Sequence, residues 1–173
     1  GNHWARDSME AALTLGFFRG TSATTFSPEK TLTRAEMVTV LHRMAGTPEV
    51  EAENPFRDVA PGRWYTDAIT WAAANGIVQG KTADRFDPNA PVTREQIASI
   101  LYRYATYLGM DVSARSELSG YGDAGKISNY AKEAMSWAVA TGLIRGITGT
   151  VLSPGGSATR AQAATLAIRF RGL

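Results

Sequence analysis

The same order of glycines, prolines, arginines and aromatic residues occurs three times along this chain, so any fold that buries one unit must also find a place for two more. Shifted by 60 residues, the first segment falls on the second without a gap. Trp4 meets Trp64, Asp7 meets Asp67, Gly16 and Gly20 meet Gly76 and Gly80, Phe26 and Pro28 meet Phe86 and Pro88, Thr33-Arg34 meets Thr93-Arg94, and Arg43 meets Arg103. A further shift of 66 gives a third copy. Trp71 then meets Trp137, Gly76 and Gly80 meet Gly142 and Gly146, Pro88 meets Pro154, Thr93-Arg94-x-Gln96 meets Thr159-Arg160-x-Gln162, and Arg103 meets Arg169. Copy one reads as residues 1–45, short of its opening segment, copy two as 56–108 and copy three as 121–173. Between them, 46–55 is acidic with Pro48 and Pro55, and 109–120 is polar and flanked by Gly; both read as linkers. Linkers this short favour copies that pack together.

Each copy predicts two helices. Ile69, Ala72, Ala73 and Ile77 recur at helical spacing and place the first helix of copy two over about 65–75. Met9, Ala12, Leu13 and Phe17 are the counterparts in copy one, and Met135, Ala138, Val139 and Leu143 in copy three. Gly76 and its equivalents follow the last turn, where a left-handed residue favours Gly. The second Gly, four residues on, is expected to mark a turn. The second helix opens at Thr33, Thr93 or Thr159, and Glu36, Gln96 or Gln162 three residues later completes a capping box. Behind it runs an apolar stripe, such as Ile97, Ile100, Leu101 and Tyr104 in copy two. Three helices with one apolar face each can bury those faces together. The fold expected is therefore all-α: three helix–loop–helix repeats forming a pseudo-threefold spindle around a central three-helix bundle.

The capping box accounts for Thr and Glu or Gln but not for the Arg between them. Arg34, Arg94 and Arg160 sit at the first helical position, where the helix end is already positive and a cation costs roughly 0.3–1 kcal/mol. Two explanations stand side by side. The guanidinium and the free N–H groups of the helix start can form an anion site. Alternatively, the Arg bonds a carbonyl or carboxylate of the neighbouring copy. Trp4 and Trp64, with Tyr130 at the third equivalent position, are either an aromatic wall for a sugar ring or core residues. Arg19, Gln79 and Arg145 precede the second Gly of each copy (Gly20, Gly80 and Gly146) and can reach the same place. Arg43, Arg103 and Arg169, deep in the second helix, are expected to form ion pairs between copies.

Composition removes several functions. There is no cysteine, which excludes disulfides, thiolate metal sites and cysteine nucleophiles, and fits an exported Gram-positive protein, although many cytosolic proteins also lack cysteine. His3 and His42 are the only histidines and lack metal-ligand spacing, so neither metal nor cofactor is expected. No nucleophile elbow, P-loop or dinucleotide fingerprint occurs, and no carboxylate pair recurs, so the segment reads as no enzyme. Arg outnumbers Lys by 14 to 4, but 16 acidic residues nearly balance 18 basic ones, which argues against nucleic acid. No apolar run is long enough for a membrane span, and the opening Gly1-Asn2-His3-Trp4 does not read as a signal peptide.

The ordered set Phe56-x-Asp58-Val59, Trp64-Tyr65, Gly76-Ile-Val-x-Gly80, Phe86-x-Pro88 and Val92-Thr93-Arg94-Glu95 resembles the S-layer homology domain. Copy one adds Leu32-Thr33-Arg34-Ala35-Glu36, the family's most distinctive short motif. The resemblance implies a spindle with binding grooves between its prongs. It also implies non-covalent anchoring at the bacterial cell surface through secondary cell wall polysaccharide, often carrying a pyruvate ketal. The motif's Arg, which contacts the acidic sugar, carries to Arg34, Arg94 and Arg160, with Trp4 and Trp64 as groove residues. The alternative is a structural module that packs against neighbouring surface-layer chains without holding glycan. Copy one lacks the opening Phe-x-Asp-Val segment. Copy three has Leu152 for Phe, Tyr130 for Trp and Tyr121-Gly-Asp123-Ala124 for the opening motif, so unequal grooves are expected.

Overall fold

A computed structural model describes residues 28–173. Trp4, Arg19, Gly20 and the first helix expected in copy one lie outside the described residues. The described chain forms α1 (Arg34–Met44), α2 (Thr66–Ala74), α3 (Arg94–Tyr107), α4 (Lys132–Ala140) and α5 (Arg160–Arg171). Two single-turn 3-10 helices, Ala124–Lys126 and Asn129–Ala131, precede α4. Among the described residues there are isolated β-bridges but no strand. The chain is helical, as the periodicity predicts.

All three capping boxes form. The Thr33 hydroxyl accepts the Glu36 N–H at 3.1 Å and Glu36 Oε1 accepts the Thr33 N–H at 3.1 Å. Thr93 with Gln96 and Thr159 with Gln162 repeat both bonds at 3.0–3.2 Å. Gln serves as well as Glu because the cap needs only an acceptor oxygen at that reach. At the other end, Gly76 (φ +70°) and Gly142 (φ +80°) take the left-handed conformation just beyond α2 and α4. The second Gly has another reason. Gly80 and Gly146 are not left-handed; a Cβ on Gly80 would lie 2.6 Å from Arg85 O and overlap Thr82 O. The chain folds back on itself there through the Thr82–Arg85 and Thr148–Val151 bridges, and only Gly leaves room.

The copies interlock through backbone hydrogen bonds in a closed ring. Leu32 N donates to Ala158 O (2.9 Å), Ala158 N to Val92 O (3.0 Å), and Val92 N to Leu32 O (2.9 Å). One step further along, Arg34 N bonds Ala90 O, Arg94 N bonds Gly156 O and Arg160 N bonds Lys30 O, each at 2.9 Å. The first N–H groups of each capped helix, which have no partner within the helix, are thus satisfied by the loop of another copy.

Helix packing follows the same order. α1 packs on α2 and α3 on α4, each pair joining one copy's second helix to the next copy's first. His42 of α1 meets the Trp71 ring at 5.2 Å, and Tyr102 of α3 meets Trp137 at 5.5 Å. His42 is buried, with Nε2 2.9 Å from Pro48 O, and is a packing residue. The apolar stripes of α1, α3 and α5 are buried in one core, and their last turns share a cavity of about 350 Å³ bounded by Met44, Tyr104, Leu108 and Phe170. The two segments expected as linkers are docked: Val50, Met110, Val112 and Leu118 pack against the core, and Ser116 exchanges two hydrogen bonds with Ser136 of α4.

Candidate functional site

The arginine at the start of each second helix is buried: Arg34 is 6% exposed, Arg94 8% and Arg160 7%. Its carbonyl partners belong to the next copy. Arg94 Nε donates to Leu152 O and Nη2 to Arg145 O, both at 2.8 Å. Arg34 Nε donates to Phe86 O at 3.0 Å and Nη2 reaches Gln79 O at 3.5 Å, with the guanidinium 4.5 Å above the Phe86 ring. Arg160 Nη1 pairs with Glu36 Oε2 at 3.0 Å. Bonding to a neighbouring copy is therefore realised at all three positions. Burial disfavours the charge of Arg34 and Arg94. Asp87, Tyr130 and Asp58 oppose that at Arg34, and Asp123 opposes it at Arg94.

The carbonyls that hold these guanidiniums are themselves fixed. Asp58 Oδ1 and Oδ2 accept the N–H groups of Phe86 and Asp87 at 2.9 and 2.7 Å. Asp123 accepts those of Leu152 and Ser153 at 2.9 and 2.8 Å. Asp87 (φ +62°) and Ser153 (φ +54°) are non-Gly residues in the left-handed region, so the clamp holds a conformation that the side chain disfavours. Gly122-Asp123-Ala124 therefore does the same work as Arg57-Asp58-Val59, although its flanking residues differ. The N–H of Leu152, more than any other group, holds the Asp123 carboxyl below the usual carboxylate range.

The same arginines line two grooves that correspond residue for residue. The first, about 350 Å³, is bounded by Arg34, Gln79, Gly80, Ser99, Arg103 and Tyr130. The second, about 410 Å³, is bounded by Arg94, Arg145, Gly146, Thr165 and Arg169. Five of the expected site residues thus meet beside Arg34 or Arg94: Gln79, Gly80 and Tyr130 at the first, Arg145 and Gly146 at the second. Tyr130 is 56% exposed and its counterpart Trp64 63%, so neither is a core residue. Trp64 lies outside both grooves, edge-on to Tyr65 at 5.0 Å. By the register of the repeat, Trp64 stands to Arg160 as Tyr130 stands to Arg34. Trp4, Arg19 and Gly20 fall outside the described residues.

Arg103 and Arg169 correct the expectation of ion pairs between copies. Each faces its own copy's groove. Arg103 Nη2 donates to Gln79 Oε1 at 3.4 Å, and Arg169 Nη1 donates to Leu143 O at 3.2 Å. Their spacing from the capping-box residues Gln96 and Gln162, seven residues or about two turns along one helix face, carries the signal in the sequence. Ser99 carries none there. Its buried hydroxyl has no hydrogen-bond partner among the described residues, whereas the equivalent Thr39 and Thr165 donate to Ala35 O and Ala161 O. Among the described residues no cluster of His, Asp and Glu could hold a metal ion, and no helix is long and apolar enough to cross a membrane.

Each groove is a cationic recess beside fixed guanidiniums, suited to an anionic ligand. The model of the S-layer homology domain matches residues 1–38, 55–98 and 120–164. Among similar proteins, exoglucanase XynX of Acetivibrio thermocellus is 32% identical over 95% of this chain, which covers 15% of that protein. An endoglucanase of Bacillus sp. (strain KSM-635) is 38% identical over 84% of this chain and 15% of its own length. The surface-layer 125 kDa protein of Lysinibacillus sphaericus is 33% identical over 83% of this chain and 12% of its own length. The chain thus spans less than a fifth of each of these relatives, and what they share with it is this segment. With three matched segments, each carrying its capped helix and arginine, the chain belongs to the S-layer homology domain family.

Proposed function

We propose that this chain anchors the protein that contains it to the bacterial cell wall, by holding acidic secondary cell wall polysaccharide in the grooves beside Arg34, Arg94 and Arg160. The acidic group is a pyruvate ketal, whose carboxylate suits a guanidinium fork. The role is anchoring, not catalysis: the enzymes that resemble this chain do so over 15% of their length, and a surface-layer protein resembles it equally. The same reading takes the copies as a three-pronged spindle around a central bundle, which the closed hydrogen-bond ring supports.

The observation that carries the proposal is the first groove. An exposed Tyr130, a Ser99 hydroxyl with no partner among the described residues and the guanidiniums of Arg34 and Arg103 converge on one recess large enough for a sugar. An exposed aromatic supplies a face for a pyranose ring, and the polar groups fix its orientation. Titration of the chain with purified wall polysaccharide tests this. Tyr130→Ala and Arg103→Gln should each weaken binding about tenfold, or 1.4 kcal/mol, with no change in melting temperature. Undiminished affinity in both variants contradicts the groove as the binding site.

One observation favours a second reading, contact with neighbouring surface-layer chains. Tyr107, Leu108 and Leu173 are exposed near the shared ends of α3 and α5. Sedimentation velocity over a hundredfold concentration range distinguishes the two. A concentration-dependent oligomer without polysaccharide affinity supports this second reading.

A further inference from the structure

The two grooves differ at the position just before the second Gly, and the difference is one of charge. In the first groove the residue is Gln79, whose Oε1 accepts from Arg103. The other cation there, Lys81, is ion-paired with Asp87 at 2.9 Å, and Asp87 and Asp58 also act on Arg34. In the second groove the residue is Arg145. Its guanidinium makes no hydrogen bond or ion pair among the described residues. Ile147 replaces Lys81, and no Asp or Glu lines this groove among the described residues. One carboxylate, Asp123, acts on Arg94, and it accepts the N–H groups of Leu152 and Ser153 as Asp58 accepts those of Phe86 and Asp87.

Arg94, Arg145 and Arg169 therefore share one recess of about 410 Å³, and among the described residues Asp123 is the one carboxylate that acts on Arg94, against two at Arg34. Burial and the neighbouring Arg145 both work against the charge of Arg169. Backbone carbonyls use up part of the donor set: two bonds from Arg94 and one from Arg169. Arg145 and the remaining N–H groups of the other two face a space whose described lining carries positive charge and no carboxylate. Such a cluster is relieved by an anion, and more by two negative charges than by one.

We propose that the groove of Arg94, Arg145 and Arg169 recognises a ligand segment bearing two negative charges, whereas the groove of Arg34, Gln79 and Tyr130 recognises one. This rests on the polysaccharide reading and assigns its grooves different acidic patterns. Arg145 is the residue that sets the difference. It acts through its side chain, because its carbonyl, which holds Arg94, is common to any residue at that position.

The test is an NMR titration of the whole 15N-labelled chain at pH 7 with malonate, inorganic phosphate and acetate. The Gly80 and Gly146 amides report the two grooves separately. The preference for malonate over acetate should be about tenfold or more at Gly146 and about threefold or less at Gly80. Arg145→Gln should bring the Gly146 value down to that of Gly80, and Gln79→Arg should raise the Gly80 value. Phosphate should follow malonate, since charge and not carboxylate shape is what the cluster reads. Equal preferences at the two grooves, no malonate binding at Gly146, or an unchanged preference in Arg145→Gln overturns the proposal. A groove difference with no affinity for wall polysaccharide sinks the polysaccharide reading alone. Polysaccharide affinity with identical grooves sinks this inference alone.

Discussion

An arginine at the first position of a capped helix is unfavourable by its own dipole interaction, yet here it is buried and bonded to another copy. The sequence showed that Arg34, Arg94 and Arg160 needed a reason and left two open. The structure satisfies the second, bonds to another copy, and leaves the guanidiniums of Arg34 and Arg94 at the edge of a groove, so one side chain can serve both. That outcome was not legible in the sequence, because the carbonyls that receive Arg94 belong to Arg145 and Leu152, more than fifty residues away. Arg94→Ala strands two acceptors and should lower stability by about 2–4 kcal/mol in urea unfolding. Arg34→Ala should cost about 0.5–1 kcal/mol more, since Arg34 also lies over Phe86, where copy three has Leu152. Arg103→Gln, on the groove wall, should stay within about 0.5 kcal/mol. A loss of stability from Arg103→Gln as large as that from Arg94→Ala would remove this division of roles.

At the scale of elements, helices and caps were readable and loops were not. The 3.6-residue period places α2 and α4, and Thr followed by Glu or Gln at the third residue marks the starts of α1, α3 and α5, because both signals are local. The loops are set by contacts distant in sequence. Asp123 grips two successive N–H groups near Pro154, and the alignment of the altered opening motif with Asp58 did not show that contact. Its carboxyl is held below the usual range in the folded chain. A depressed carboxyl contributes stability that is present above its unfolded pKa of about 3.9 and is lost as pH falls through the lower folded value. Asp123→Asn should therefore be less stable at neutral pH and show a shallower loss of stability between about pH 5 and 2. Parallel pH slopes for the two proteins would contradict the clamp. Gly80→Ala and Gly146→Ala test the crowded bridge; each should lower the melting temperature, since the added Cβ meets backbone oxygen and not a movable side chain.

For the molecule as a whole, the three copies are tied into one backbone hydrogen-bond ring. The ring from Leu32 to Ala158 to Val92 closes only when all three are present, and each helix pair joins different copies. The repeat was fully legible in the sequence, but its interlocking was not. Shifts of 60 and 66 residues show which residues are equivalent without showing which copies they bind. A chain of residues 55–108 alone should lack a cooperative thermal transition by circular dichroism, whereas 1–173 should unfold in one step; a cooperative isolated copy would break the account. The repeat also multiplies one site design, an arginine fixed between copies beside an open groove, seen at Arg34 and Arg94 among the described residues. The central claim is that these grooves hold an acidic wall glycan through its negative charge. The most direct measurement is a pull-down of the whole chain with purified wall polysaccharide, before and after mild acid strips the pyruvate. The account predicts strong retention before treatment and its loss after; equal retention by both polymers would contradict it.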